Sequence, residues 1–329
     1  MQQQKKTIRN QSIDILKFLA VIFITNSHFD EQYVYAKEFA TGGAIGDALF
    51  FFCSGYTLFI GRLGRFDSWY KRRIRRIYPS VFALAIVTSF IYGLKYDMFD
   101  IWIQGGEWFV SCIMIYYVFL YFIRRYALKH LGWVYVILTV AILIWYIWFF
   151  EPKNVVWMYK WTYFKWLFYF LFMLLGAQIG LKEKEEGVTI VSAKKTIVKL
   201  LLSIFFFYGI LFFCEMYPNV GYLQIVSLLP LVGVCIYFYN MCQALKNRIL
   251  RNPWIVAPIL TVGGLCLEIY LIQPLVRTTA LNFLFPLNLL LLFVAIVFAA
   301  YGVRCLAHIF QQTFSNEDGY DWKAILRLY

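Results

Sequence analysis

The chain has 329 residues, of which 62% are hydrophobic, 21% aromatic and 15% charged, and it carries a net charge of +13. Soluble domains hold roughly a quarter charged residues and at most about half apolar ones, so this composition excludes an ordinary soluble fold. The apolar residues gather into runs long enough to cross a ~30 Å hydrocarbon core as helices, not into the short alternating segments of a membrane β-barrel, and the expected fold is an all-α integral membrane protein.

About ten spans are predicted, at roughly 12–31, 42–61, 78–95, 108–124, 132–150, 162–181, 198–214, 222–242, 257–279 and 284–306. An even number puts both termini on one side. Placing that side in the cytoplasm sorts 24 of the 31 lysines and arginines onto cytoplasmic segments and six onto outer ones (Lys37, Lys95, Lys153, Lys160, Lys165, Arg277), with Lys17 left inside the first span. The positive charge is therefore a topology signal, brings attraction to anionic membrane lipid with it, and calls for no nucleic-acid partner. A single transmembrane domain over 1–310 and a polar cytoplasmic tail over 311–329 are expected, in the cell's cytoplasmic (inner) membrane.

The first span, SIDILKFLAVIFITNSH, holds Asp14 and Lys17 near one end and His28 at the other. It reads as a retained helix, because charges interrupt the run and no small-residue cleavage site follows His28. A charge inside a span costs about 2.5–3.5 kcal/mol and needs a reason. Lys17 snorkelling to the head groups and His28 marking the outer interface would account for each alone. On a helix, however, His28 lies about 16 Å along the axis from Lys17 and only about 20° around it, so the two share a face.

The second span contains GDALFFFCSGYTLF, in which Asp47 and Ser54 fall on one side. Gly55 permits close backbone approach, and Ser54 and Tyr56 offer hydroxyls inside the bundle. Just before the third span, WYKRRIRRIYP concentrates basic residues at the membrane surface. Such clusters anchor topology, but Arg73 and Arg76, three apart, can also turn their planar forks toward one phosphorylated ligand. The outer loops KYDMFDIWIQGGEW and EPKNVVWMYKW mix aromatics, glycines and acids, as an interfacial belt or a sugar-binding entrance would. The seven cysteines show no C-x-x-C and no histidine at metal spacing, and read as small core or lipid-facing residues with no disulfide and no metal site.

The order of IDILKFLAVIFITNSH, FFFCSGYTLF, YKRRIRRIYP, EWFVSCIMIYYVFL and LEIYLIQPLV resembles the acyltransferase 3 family of multipass membrane acyltransferases, over residues 12 to about 305. The resemblance implies transfer of an acyl group, usually acetyl from acetyl-CoA, onto a hydroxyl of a surface glycan or related cell-envelope acceptor. Acyl-CoA is then a co-substrate, and no bound cofactor is implied. His28 matches the family histidine, Lys17 the basic residue before it, Arg73 and Arg76 the R-x-x-R, and Ser54, Gly55 and Tyr56 the S-G-Y. Two positions depart: the family usually has arginine where Lys17 stands, and often histidine where this chain has Gln273.

Thioester-to-alcohol transfer needs a base for the hydroxyl proton, and His28 is the histidine inside a predicted span. Ser54, Tyr56 or a backbone amide near Gly55 are candidate oxyanion donors, and Lys17 a candidate for holding the thioester arm. With Arg73 and Arg76 on CoA phosphates in the cytosol and His28 toward the outer leaflet, the acyl arm must reach through the bundle. Two alternatives stay open. Asp14, Lys17, Asp47 and Glu268 would also mark the path of a transporter or flippase for a glycan or lipid-linked sugar. The departures at Lys17 and Gln273 would also suit a family member kept as a sensor or scaffold.

Overall fold

The structure, a computed structural model, describes residues 10–93, 97–103, 105–151, 153–160, 163–188, 191–314 and 319–327. Every regular element among them is helical: α1 (Gln11–Ser27), α2 (Gly43–Ile60), α3 (Phe66–Tyr92), α4 (Met98–Ile103), α5 (Glu107–Tyr126), α6 (Leu131–Phe149), α7 (Phe164–Glu186), α8 (Ala193–Met216), α9 (Leu228–Ile249), α10 (Pro253–Gly264), α11 (Cys266–Val276), α12 (Leu287–Thr313) and α13 (Trp322–Ile325). Within a bilayer core only helices or closed barrels satisfy their own backbone, so long apolar runs without β-alternation fold this way.

Eight helical segments among the described residues are long and apolar enough to cross a membrane, and a ninth if α10 and α11 count as one bent span. The expected figure of about ten included the first span, whose helix α1 has 17 residues, or about 26 Å of rise.

The centre of the bundle is α2 against α7. Lipid tails are as apolar as leucine, so helices associate in a membrane by close packing, which small residues allow. A Cβ on Gly55 would lie 1.8 Å from the Met173 carbonyl oxygen, and one on Gly176 would lie 2.0 Å from that of Phe52. The two glycines thus interlock the two backbones. Around them Phe51, Phe52, Phe168 and Tyr169 are buried, whereas α6 and α8 turn rows of exposed apolar side chains outward.

Two breaks in regular backbone shape the functional region. The basic run expected to precede the third helix lies inside it: α3 starts at Phe66, and Arg73 and Arg76 stand on its second and third turns. Pro79 in that helix has no N–H to donate to the Arg75 carbonyl, and the Gln311 side chain of α12 supplies the missing donor at 3.1 Å.

The second break replaces the single span expected at 257–279. Helices α10 and α11 meet at 78°, directly after the Gly263–Gly264 pair. Glycine is a poor helix former, and Gly263 also packs its Cα close to Lys17 and the Asp14 carbonyl of α1. The Gly264 carbonyl left over at the bend accepts from Arg304 Nη2 at 2.6 Å.

Candidate active site

Four of the six residues singled out by their motifs meet in one cavity of about 430 Å³: Lys17 from α1, Ser54 from α2, and Arg73 and Arg76 from α3. Arg72, Arg75, Ser80, Tyr117, Glu268, Arg304 and His308 also line it. Arg73, Arg76 and Ser80 are spaced three and four apart, which puts them on one face of α3. That face is tied to α11 by a hydrogen bond of 2.6 Å from Ser80 Oγ to Glu268 Oε1. Arg304 of α12 grips both oxygens of the same carboxylate, Nε at 2.8 Å and Nη2 at 2.7 Å, and Glu268 is only 1% exposed.

Glu268 is the cavity's one lining carboxylate among the described residues, and Arg304 holds it. Lys17, Arg72, Arg73, Arg75 and Arg76 therefore face the space with no anion opposite them on the wall. Arg73 lies with its guanidinium 4.8 Å from the centre of the Trp69 ring, and its buried Nε has no partner among the described residues. Such a wall is built for an anion with several oxygens.

Tyr56 does not line this cavity. Its hydroxyl donates to Glu183 Oε2 at 2.7 Å and accepts from Asn10 Nδ2 at 2.7 Å. Tyr239 donates to the same Glu183 oxygen at 2.5 Å, and its ring lies 5.6 Å from that of Tyr56. Gln243, bonded to Tyr239 and Ser12, and Lys246, bonded to Gln243, extend the cluster. The three residues of the S-G-Y motif thus have three separate positions: Ser54 on the cavity, Gly55 against α7, and Tyr56 in a clasp joining α1, α2, α7 and α9.

His28 is also outside the cavity. It caps the C-terminus of α1, where its N–H donates to the Thr25 carbonyl at 3.1 Å and its own carbonyl accepts from Arg277 Nη1. Arg277, Asp30 and Lys165 are the charged groups around its imidazole. Lys165 sits 3.9 Å over the Trp108 ring and faces Asp47 and Glu107. Glu107 accepts from the Tyr270 hydroxyl at 3.3 Å and holds φ at +51°, a left-handed conformation that is strained for a side-chain-bearing residue. His28 thus caps the C-terminal end of α1, whereas Lys17 stands on the cavity near the middle of the helix.

A narrow apolar neck adjoins the basic cavity. It begins with Phe50, Phe109, Cys266 and Leu267, which also line the basic cavity, and continues along Val21, Ile24 and Thr25 of α1 and Ile269 and Tyr270 of α11. Its free space is about 10 Å³, room for little more than one water.

The sequence reading missed Arg304 and His308 as site residues: it left Arg304 unremarked inside a span ended at 306, with His308 beyond it, whereas α12 runs to Thr313 and carries both to the cavity. It noted Glu268 only as a mark of a translocation path. Glu107 and Lys165 gave no signal beyond being charged groups near span ends, and Tyr270 read as one more aromatic inside a span. No curated protein and no solved structure matches the chain. The profile of the acyltransferase domain matches residues 10–308. That match runs from the residue capping α1 to a histidine that lines the cavity, and the chain therefore belongs to the acyltransferase 3 family and is a multipass membrane acyltransferase.

Proposed function

We propose that the protein moves an acyl group, acetyl in the first instance, from acyl-CoA to a hydroxyl of a glycan or related cell-envelope acceptor, in the cytoplasmic membrane and with both termini in the cytosol. The observation that carries this reading is a strongly cationic cavity sharing Phe50, Phe109, Cys266 and Leu267 with an apolar neck along α1, whose lining reaches Thr25, three residues before His28. Acyl-CoA has the matching polarity, with phosphates at one end, a long arm, and the thioester at the other.

In this reading Arg73 and Arg76, with Arg72 and Arg75, hold the phosphates from the cytosolic side. Lys17 and Ser54, deeper in the same cavity, bond the polar groups of the arm. The acyl group passes the neck, which must widen to admit it. His28 takes the acceptor's hydroxyl proton as the alcohol oxygen bonds to the thioester carbon. The C–S bond then breaks, and the imidazolium returns the proton to the departing thiolate. Arg277 Nε–H, buried beside His28 and without a partner among the described residues, is the donor available to the oxyanion. Tyr56, committed to Glu183, keeps α2 in place.

The test is transfer of label from acetyl-CoA in membranes containing the intact chain, with and without cell-surface glycan. Arg73→Ala and Arg76→Ala each raise the KM for acetyl-CoA by about tenfold or more, the worth of a charge-assisted hydrogen bond, and the effect shrinks at high salt. His28→Ala abolishes transfer while leaving donor binding intact. Failure of the intact protein to consume any acyl-CoA overturns the reading.

A further inference from the structure

Residues 319–327, near the C-terminus, are held against α12 by that helix's own side chains. Tyr301 Oη donates to the Leu326 carbonyl at 2.9 Å, Gln312 Oε1 accepts from the Asp321 N–H at 2.8 Å, and the Thr313 and Tyr320 hydroxyls meet at 3.0 Å. Ile325 is 1% exposed, although the residues on either side of it are exposed. The segment is thus a strap, tied at several levels of α12 and anchored by one buried side chain.

At that anchor the Ile325 carbonyl lies 3.1 Å from His308 Nδ1. A carbonyl only accepts, so Nδ1 carries the proton, and the ring's other nitrogen, Nε2, has no partner among the described residues. His308 also lines the basic cavity, with Arg304, Ala307 and Gln311 of the same helix face. The other polar side chains of that face are committed. Arg304 holds Glu268 and the Gly264 carbonyl, and Gln311 Nε2 donates to the Arg75 carbonyl. On this wall the imidazole is the group still able to bond a ligand.

We propose that His308 is a further donor-binding residue, giving a hydrogen bond from Nε2 to a phosphate oxygen of the acyl donor, and that the C-terminal strap positions it to do so. The assignment rests on the acyltransferase reading above and adds to its donor site a residue and a positioning segment from the end of the chain. Lys17, Arg72, Arg73, Arg75 and Arg76 line the same cavity, and His308 brings a donor from α12 to the anion they attract. An anion beside an imidazole favours the protonated ring, in which both nitrogens donate, one to the strap and one to the phosphate. A ring already held by the Ile325 carbonyl loses little freedom when the phosphate binds, whereas a ring released from the strap must be ordered at that moment.

The experiment measures KM in full-length variants with two labelled donors, acetyl-CoA and acetylpantetheine, which has the thioester arm without the phosphates. Asparagine puts an amide nitrogen where Nδ1 stands, and glutamine puts one where Nε2 stands. His308→Asn therefore keeps the strap and loses the cavity contact, and raises the KM for acetyl-CoA about tenfold or more, the worth of a charge-assisted hydrogen bond. His308→Gln keeps a cavity donor and raises it only about threefold. Ile325→Asp, which puts a charge at the strap's buried anchor, also raises the KM for acetyl-CoA, adds nothing to the loss in His308→Asn, and is rescued by the conservative Ile325→Val. For acetylpantetheine all these values stay close to that of the intact protein. A larger loss in His308→Gln than in His308→Asn reduces His308 to a tie for the strap and overturns the proposal. Equal losses with both donors, or additive losses for Ile325→Asp and His308→Asn, overturn it as well. Should the His308 variants fail to fold, Ile325→Asp decides alone, and an unchanged or donor-independent KM then counts against the proposal. Failure of the underlying acyltransferase reading is distinct, because the intact protein then consumes no acyl-CoA at all.

Discussion

At the scale of single residues, the S-G-Y motif shows how three adjacent side chains are distributed by helical geometry. Successive residues turn about 100° around a helix, so neighbours in sequence point in different directions. Ser54 faces the basic cavity, whereas Tyr56 points into the clasp with Glu183, Tyr239 and Asn10. Substitution separates the two roles. Tyr56→Phe keeps the ring against Tyr239 and loses a hydrogen bond to a carboxylate, which lowers stability by about 1.5–3 kcal/mol in a thermal melt and leaves activity per folded molecule near its original level. Ser54→Ala does the reverse, raising the KM for the acyl donor with little change in melting temperature. A loss of kcat in Tyr56→Phe at full folding would return its hydroxyl to the reaction. The sequence marked both residues through their hydroxyls, but which way each turns depends on where α7 and α9 stand.

At the scale of elements, the bend between α10 and α11 depends on one carboxylate. Glu268 accepts from Ser80 on α3 and from Arg304 on α12, and Arg304 also satisfies the Gly264 carbonyl exposed by the bend. Removing one partner of a buried ion pair leaves the other charge uncompensated, at about 3–5 kcal/mol, whereas replacing both by apolar groups is close to neutral. Arg304→Met is therefore expected to lower the melting temperature sharply, and Glu268→Leu combined with Arg304→Met to recover most of the loss. Additive losses in the double variant would show that the two side chains do not act as a pair. Sequence periodicity read this region as one span, because both halves are apolar. The glycine pair was visible, but the cation that makes the bend tolerable arrives from 36 residues further along the chain.

At the scale of the whole molecule, charge is divided between the two ends of the bundle. The basic cavity gathers its cations at one end, and His28, Asp47, Glu107 and Lys165 gather at the other, with the apolar neck between them. Single cysteines at exposed Lys37 and Lys184, in a background without the two partly exposed native thiols Cys266 and Cys305, read the orientation directly. A membrane-impermeant maleimide labels position 37 in intact cells and position 184 only after permeabilisation. The opposite pattern inverts the proposed donor and acceptor sides. Labelling of both in intact cells removes the two-sided arrangement.

Sequence alone determined the helical membrane fold and the family, because long apolar runs and motif order are properties of the chain read in one dimension. It also placed Lys17 and His28 on the same first helical segment, since local spacing is read along the chain. The tertiary structure decided the rest. The joining of Lys17, Ser54 and the arginines in one cavity, the release of Tyr56 from it and the capture of Glu268 by Arg304 all involve different helices. Their relative placement follows from packing between segments far apart in sequence, such as Gly55 against Met173, and local periodicity carries no information about which distant helix will fill a given face.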